Sequence, residues 1–224
     1  DLHLSLRRQR QMCIRDSTGA GRRSRCETEA YRSLAGFMRN HARASDITVA
    51  MNGTQELKVA VAQFTVRREP EWNLDIIDGY AWQAADAGAR LLVLPEGLIA
   101  RDGDDDMFAA AHAQPLDGPF VTGLRRISEE RHITLMGAVH AVSGAADAVP
   151  DKPASCATDS RVSNVFVVIR DGALIATYRK LHLYDAFAAR DSDTVRPGIE
   201  LPPIVEIDGW HVGVMTCYDV RFPE

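Results

Sequence analysis

No apolar run in this sequence approaches the ~18 residues a helix needs to cross a bilayer, which argues against a membrane-spanning helix. The start carries no apolar h-region and no small-residue cleavage signal, so secretion is not expected. The four cysteines, Cys13, Cys26, Cys156 and Cys217, include no C-x-x-C pair, and no two of the seven histidines stand at ligand spacing with a cysteine. A disulfide framework or a structural zinc site is therefore not expected, and a reducing, cytoplasmic setting fits best. Internal repeats and low-complexity segments are missing from residues 51–224.

Lysine is absent from the first fifty residues, which hold ten arginines and five acids. The rest of the chain is acidic, so a net charge of +5 over residues 1–50 meets one of −10 over residues 51–224. Two kinds of sequence are joined. Residues 1–50 show neither helical nor strand periodicity and are read as a disordered or non-genuine leader, with Met51 as the natural start. An Arg-rich leader could also target an organelle or bind nucleic acid. The interspersed acids weaken both readings, and the acidic body disfavours phosphate binding, so no nucleic-acid partner is expected.

The chain as a whole has ordinary soluble globular composition, 46% hydrophobic and 25% charged. From Leu57 the chain alternates: LKVAVAQF is a strand-length apolar run, WNLDIIDGYAWQAADAGA repeats Ile77, Ala81, Ala84, Ala85 and Gly88 at helical spacing, and LLVLPEG is a second strand. PFVTGLRRISEERH then reads as an amphipathic helix and ITLMGAVH as a third strand, which predicts an α/β fold with parallel central strands. Beyond a polar loop at Ser143–Arg161, Asp171-Gly172 and Asp208-Gly209 each signal a hairpin. Between those hairpins lies a long loop, LHLYDAFAARDSDTVRPG, of a length that is usually functional.

Three apolar runs deliver a reactive side chain at their C-terminal end: LLVLPE at Glu96, LIATYRK at Lys180 and VGVMTC at Cys217. Carboxyl ends of strands in an open α/β sheet are where ligand crevices form, so the three could meet in one pocket. Each alone has a plain structural explanation: a small buried cysteine, a first-turn helix carboxylate, a solvated lysine at a strand end. Their conjunction in the order Glu, Lys, Cys carries the functional reading.

With KVAVAQF at 58–64, LLVLPEG at 91–97, YRKLHLYDAF at 178–187 and VGVMTCYDVRFPE at 212–224, the chain resembles the nitrilase or carbon-nitrogen hydrolase superfamily over nearly all of 57–224. The resemblance implies an α/β fold of α-β-β-α sandwich type, commonly homodimeric, that hydrolyses a non-peptide C–N bond of a small-molecule amide and needs no cofactor. Residues 51–224 would then be the N-terminal portion of that domain, cut off just after the nucleophile, with its C-terminal part missing. Cys217 would be the nucleophile, needing a base and positive charge nearby to hold it ionised. Glu96 would be the general base. Lys180 would stabilise the oxyanion with the backbone N–H of Tyr218.

Within the superfamily, YRKLHLYDAF followed by CYDVRFPE looks most like the deaminated glutathione amidase branch. The ω-amidase and N-carbamoyl amino acid amidohydrolase branches share the triad, and an inactive fragment or binding module of the same fold is a further alternative. Related enzymes carry a fourth, substrate-orienting glutamate after the lysine, and Asp191 best matches that place although its side chain is roughly 1.5 Å shorter. His182, Tyr184, Asp185 and Phe187 either shape the pocket or pack the loop. For Asp219 and Arg221, a structural ion pair or turn hydrogen bonds are expected.

Overall fold

The computed structural model describes residues 45–49, 56–105, 107–142, 160–186 and 189–222, all within one compact unit, Arg43–Glu224. The expected leader, apart from residues 45–49, lies outside the described residues, as do Phe187, Cys156 and most of the polar loop.

The elements follow local sequence rules. Helix α1, Pro70–Asp86, starts with a proline whose fixed φ suits the first turn and stops where Gly88 takes φ +80°. After the single turn α2, Phe108–Ala111, helix α3 (Pro119–Arg131) again opens on proline and closes at His132, left-handed at φ 52°. Asp171 and Gly172 have φ 50° and 73°, Asp208 and Gly209 have φ 48° and 82°; two positive values in succession are what a type I′ hairpin demands.

The main sheet has seven strands: β1 (Ser45–Val49), β2 (Leu57–Val61), β3 (Leu91–Val93), β4 (Thr134–Ala141), β5 (Val162–Arg170), β6 (Ala173–Arg179) and β9 (Val195–Arg196). As predicted, β2, β3 and β4 run parallel, with Val59 beside Leu91 and Leu91 beside Thr134. Strands β4, β5 and β6 are antiparallel, and in that register His140 stands opposite Asn164. β1 was not anticipated: residues 1–50 were read as lacking strand periodicity, yet Ser45–Val49 pairs antiparallel with β2, Ile47 opposite Val59. The long loop is likewise less bare than expected. It contains the short pair β7 (Asp185–Ala186) and β8 (Ala189–Arg190), a 3₁₀ turn at Asp191–Asp193, and β9, which joins the edge of β5.

Side-chain alternation gives the sheet two buried faces. One packs Ala60, Leu92, Leu135, Val165 and Val167 against Ile77, Ala81 and Ala84 of α1 and Phe120, Leu124 and Ile127 of α3. Each large apolar residue buried there contributes about 1.5–3 kcal/mol. The helices approach closely at Gly123, where a Cβ would lie 2.6 Å from a methyl of Leu74, and Arg131 of α3 clasps Asp78 of α1 at 2.7 and 2.8 Å. The opposite face packs Leu91, Met136, Ala138, Phe166, Val168 and Tyr178 against Val205, Ile207 and Val214. Those partners belong to a separate hairpin, β10 (Ile204–Ile207) and β11 (Trp210–Gly213), and to the residue after it. The layers are thus helix, sheet, second β layer. No helix among the described residues is long and apolar enough to cross a membrane.

Candidate active site

Glu96 lies three residues past the end of β3, in a bend that docks on β4: the N–H groups of Gly97 and Leu98 both donate to the Ala138 carbonyl at 3.0 Å. The segment has no helical turn, so the helix-terminus explanation for this carboxylate fails. Two side chains donate to the same glutamate oxygen, Oε1: Asn164 Nδ2 at 2.6 Å and Lys180 Nζ at 3.1 Å.

Lys180 directly follows β6 and is only 2% exposed, which overturns the reading of a solvated strand end. Its main chain is held on both sides, its N–H donating to the Asn164 carbonyl at 3.0 Å and its carbonyl accepting from Gly198 at 2.8 Å. Gly198 is required there, because a Cβ would collide with the Arg179 carbonyl oxygen. The ammonium also donates to Asp191 Oδ2 at 2.9 Å. Despite its shorter side chain, Asp191 therefore reaches the lysine: the 3₁₀ turn carrying it is drawn in by two bonds to the Tyr184 main chain, Asp191 N donating to the Tyr184 carbonyl at 2.9 Å and Tyr184 N donating to the Asp191 carboxylate oxygen Oδ2 at 3.0 Å. Arg190 faces Asp193 at 3.8 Å rather than Asp191.

Cys217 is exposed, so the small-buried-hydrophobe reading does not hold either. The strand before it ends at Gly213, earlier than the sequence suggests, and Cys217 opens a 3₁₀ turn, Cys217–Arg221, in a left-handed conformation at φ 49°. That conformation costs a non-glycine residue of order 1–3 kcal/mol and persists only where the surroundings over-determine it. Here the determinant is Asp219. Its buried carboxylate accepts from Thr216 N at 3.0 Å, from Tyr178 Oη at 2.9 Å, and from His182 through N at 3.0 Å and Nδ1 at 2.9 Å. The cysteine turn, the end of β6 and the post-lysine loop are tied to one carboxylate. His182 also stacks on Phe222, ring centroids 3.8 Å apart, while Tyr218 sits edge-on to Tyr184 and Phe222 at 5.4 Å each. The turn hydrogen bonds expected of Asp219 are present, and His182 joins them through its main-chain N and its ring Nδ1.

The electrostatics follow from one cation between two carboxylates. Burial alone would lower the Lys180 ammonium, but the Glu96 charge and the bonds and charge of Asp191 outweigh it and raise its pKa above the ordinary lysine value. Cys217 is also raised, first by desolvation and next by the Glu96 charge; Lys180 opposes, and a hydrogen bond to Glu96 and the Asp191 charge add to the rise. Desolvation and the two carboxylates thus outweigh the pull of the lysine charge on the thiol. Burial lowers His140, against the pull of Glu96, and so keeps this imidazole neutral beside the site. Tyr178 is pushed up to about 12, mainly by desolvation, and stays a donor to Asp219. Asp219 is lowered: burial works against ionisation, and the bonds from His182, Thr216 and Tyr178 prevail. Among the described residues no group of three His, Cys, Asp or Glu side chains converges as a metal site requires.

The carbon-nitrogen hydrolase family model matches residues 58–224. The chain belongs to that family. Among its relatives is the deaminated glutathione amidase of Escherichia coli O157:H7, 41% identical over 166 residues that cover 74% of this chain and 58% of the relative. A hydrolase of Mycobacterium tuberculosis is 38% identical over 170 residues, 75% of this chain and 54% of its own. Among solved structures, an amidase from Nesterenkonia sp. AN1, of the nitrilase superfamily, superposes with a TM-score of 0.59 at 26% identity, covering 75% of this chain and 58% of that one. The mixed α/β sandwich is thereby the family fold, and the chain spans a little over half the length of the relatives it matches.

Within this family fold the structure brings Glu96, Lys180 and Asp191 into direct contact, places Cys217 in their field, and sets His182 and Tyr218 in the aromatic and hydrogen-bonded packing beneath the cysteine turn. Tyr184 supports Asp191 through its main chain, and Asp185 accepts from Ser192 N at 3.0 Å, so both serve the loop. Sequence reasoning missed Asn164 and His140. The one available signal was an amide inside the apolar run VSNVFVVIR, since a buried polar group needs a partner.

Proposed function

We propose that the complete protein hydrolyses the C–N bond of a small-molecule amide through an acyl thioester on Cys217. The observation that carries this reading is the buried Lys180 ammonium, which bonds Glu96 at 3.1 Å and Asp191 at 2.9 Å beside an exposed cysteine. Lysine has three N–H donors. Two are spent on the carboxylates, and the third is left for substrate.

The chemistry then follows from the groups present. Glu96 takes the thiol proton as sulfur attacks the carbonyl carbon. The oxyanion that forms accepts from the free Lys180 N–H and from the main-chain N–H of Tyr218, which, as the second residue of the turn, has no carbonyl within the turn to donate to. Glu96 returns the proton to the departing nitrogen, the C–N bond breaks and a thioester remains. Water then gives a proton to Glu96 as it attacks the thioester; the C–S bond breaks, the carboxylic acid leaves, and Glu96 returns the proton to the Cys217 sulfur. Asp191 holds Lys180 in place through a second bond to its ammonium, and His182 shapes the floor of the site. The Nesterenkonia amidase supports the cysteine chemistry, since one of its structures carries acrylamide added at its active-site cysteine.

For the substrate, the relative in Escherichia coli O157:H7 and a second in Mus musculus, 29% identical over 175 residues, both carry the name deaminated glutathione amidase. The proposed substrate is accordingly deaminated glutathione, cleaved between its 2-oxoglutaryl group and Cys-Gly. A homodimer in a reducing, cytoplasmic setting completes the reading, supported by the family habit and by cysteines without disulfide spacing. The deciding assay offers the complete protein deaminated glutathione, 2-oxoglutaramate and an N-carbamoyl amino acid in parallel, following release of amine or ammonia. Highest kcat/KM on deaminated glutathione is expected; preference for either other compound moves the protein to the ω-amidase or carbamoyl branch.

A further inference from the structure

Asn164 is 4% exposed and sits on β5 among apolar residues, on the face that carries the site. It contacts both of its charged neighbours, donating from Nδ2 to Glu96 Oε1 at 2.6 Å and accepting the Lys180 main-chain N–H on its carbonyl at 3.0 Å. Its own side-chain oxygen is buried without a hydrogen-bond partner among the described residues. An unsatisfied buried oxygen costs stability, and an apolar residue of similar size would avoid that cost. The amide therefore has a use that packing does not explain, and the use is its N–H group.

We propose that Asn164 is a positioning residue for the base: together with Lys180 it occupies Oε1 of Glu96 and so turns Oε2 toward the Cys217 thiol and, later, the attacking water. Glu96 follows β3, Lys180 follows β6, and Asn164 on β5 is the point in the sheet that touches both. The other titratable groups around the carboxylate are Asp191 from the 3₁₀ turn, Cys217 from its own turn and His140 from β4, with Arg101 acting on His140 from beyond. Asn164 and Lys180 both donate to Oε1, so the orientation of the carboxylate rests on the asparagine and the lysine.

The inference rests on Glu96 being the general base, and the test separates the two. In the complete protein, Asn164→Ala is expected to lower kcat about 10-fold to 100-fold with little change in KM, and to move the acidic limb of kcat/KM about one pH unit upward, because a carboxylate that loses a charge-assisted donor binds its proton more tightly. The isosteric Asn164→Asp, which keeps the packing volume should the alanine variant fail to fold, sets a second carboxylate against Oε1 and should move the limb further up. Ser163→Ala, a buried neighbour on the other face of β5, serves as the control with an unmoved limb. Folded Asn164 variants with the wild-type limb and kcat would overturn the proposal, as would a loss of activity that tracks melting temperature and is shared by Ser163→Ala. Full turnover in Glu96→Gln would instead remove the base reading itself, and with it the need for a positioned oxygen.

Discussion

Replacing Asp219 with alanine should destabilise the protein through the turn that presents Cys217. Four donors converge on this carboxylate at 2.9–3.0 Å: Thr216 N, Tyr178 Oη, His182 N and His182 Nδ1. The first two are buried and would be left without an acceptor, at about 1.5–2 kcal/mol each. Water can reach the two on the partly exposed His182, which add roughly 1 kcal/mol together. The sum is about 4 kcal/mol, or on the order of 10 °C in Tm for a chain of this size. Asn does not rescue the site, because whichever way the amide is turned its NH₂ meets either Thr216 N–H or His182 N–H. The effect also has a signed pH dependence. The folded-state pKa of Asp219 lies below its unfolded value, so the stabilisation is complete above the unfolded value near 3.9 and fades as pH falls through the folded one. Thermal melts of wild type and Asp219→Ala at fixed protein concentration, at pH 7 and near pH 3, should show a gap that narrows in acid. A gap under ~1 kcal/mol at pH 7, or one that is the same at both pH values, would refute the reasoning.

Two further outcomes follow from the same contacts. Alkylation of Cys217 by iodoacetamide against pH should move in opposite directions in two variants: upward in Lys180→Met, which removes the charge that lowers the thiol pKa, and downward in Glu96→Gln, which removes one that raises it. Asp191→Asn should lower kcat/KM about 10²-fold, since it exchanges a charged acceptor of the Lys180 ammonium for a neutral one in a site where small misplacements are costly, whereas Asp191→Glu, with an extra bond to fit between Lys180 and Tyr184 N, should change it less. Near-wild-type kinetics in Asp191→Asn would show that Lys180 needs no second carboxylate.

The three candidate residues, Glu96, Lys180 and Cys217, are legible because each terminates an apolar run, and strand ends are where an α/β sheet can expose a functional group. What the runs did not show is how they are partnered. VGVMTC reads as a strand leading into the nucleophile, but β11 pairs only with β10 in a second layer, and the chain leaves it at Gly213 because the turn at Cys217 is set by Asp219 rather than by the strand. β1 was hidden because Ser45–Val49 offers one short β-branched run inside Arg-rich sequence, and its pairing with Leu57–Val61 is a tertiary choice. Asn164 and His140 escaped for a related reason. They are neighbours through the β4–β5 register, across a connection of twenty residues, 142–161, and nothing local in either strand announces the pairing. Asp191 stands out by position, yet its reach to Lys180 depends on the two hydrogen bonds that its N–H and its carboxylate make with the Tyr184 main chain, which one-dimensional spacing does not contain.

The central claim is that catalysis passes through a covalent bond to Cys217. It is tested most directly by mixing the complete protein with an amide substrate, quenching in the pre-steady state and weighing the intact chain and its peptides. The account predicts an adduct of the acyl group's mass on the peptide carrying Cys217, decaying as acid is released, and neither adduct nor turnover in Cys217→Ala. Turnover that survives in Cys217→Ala, or an acyl adduct on any other side chain, would contradict it.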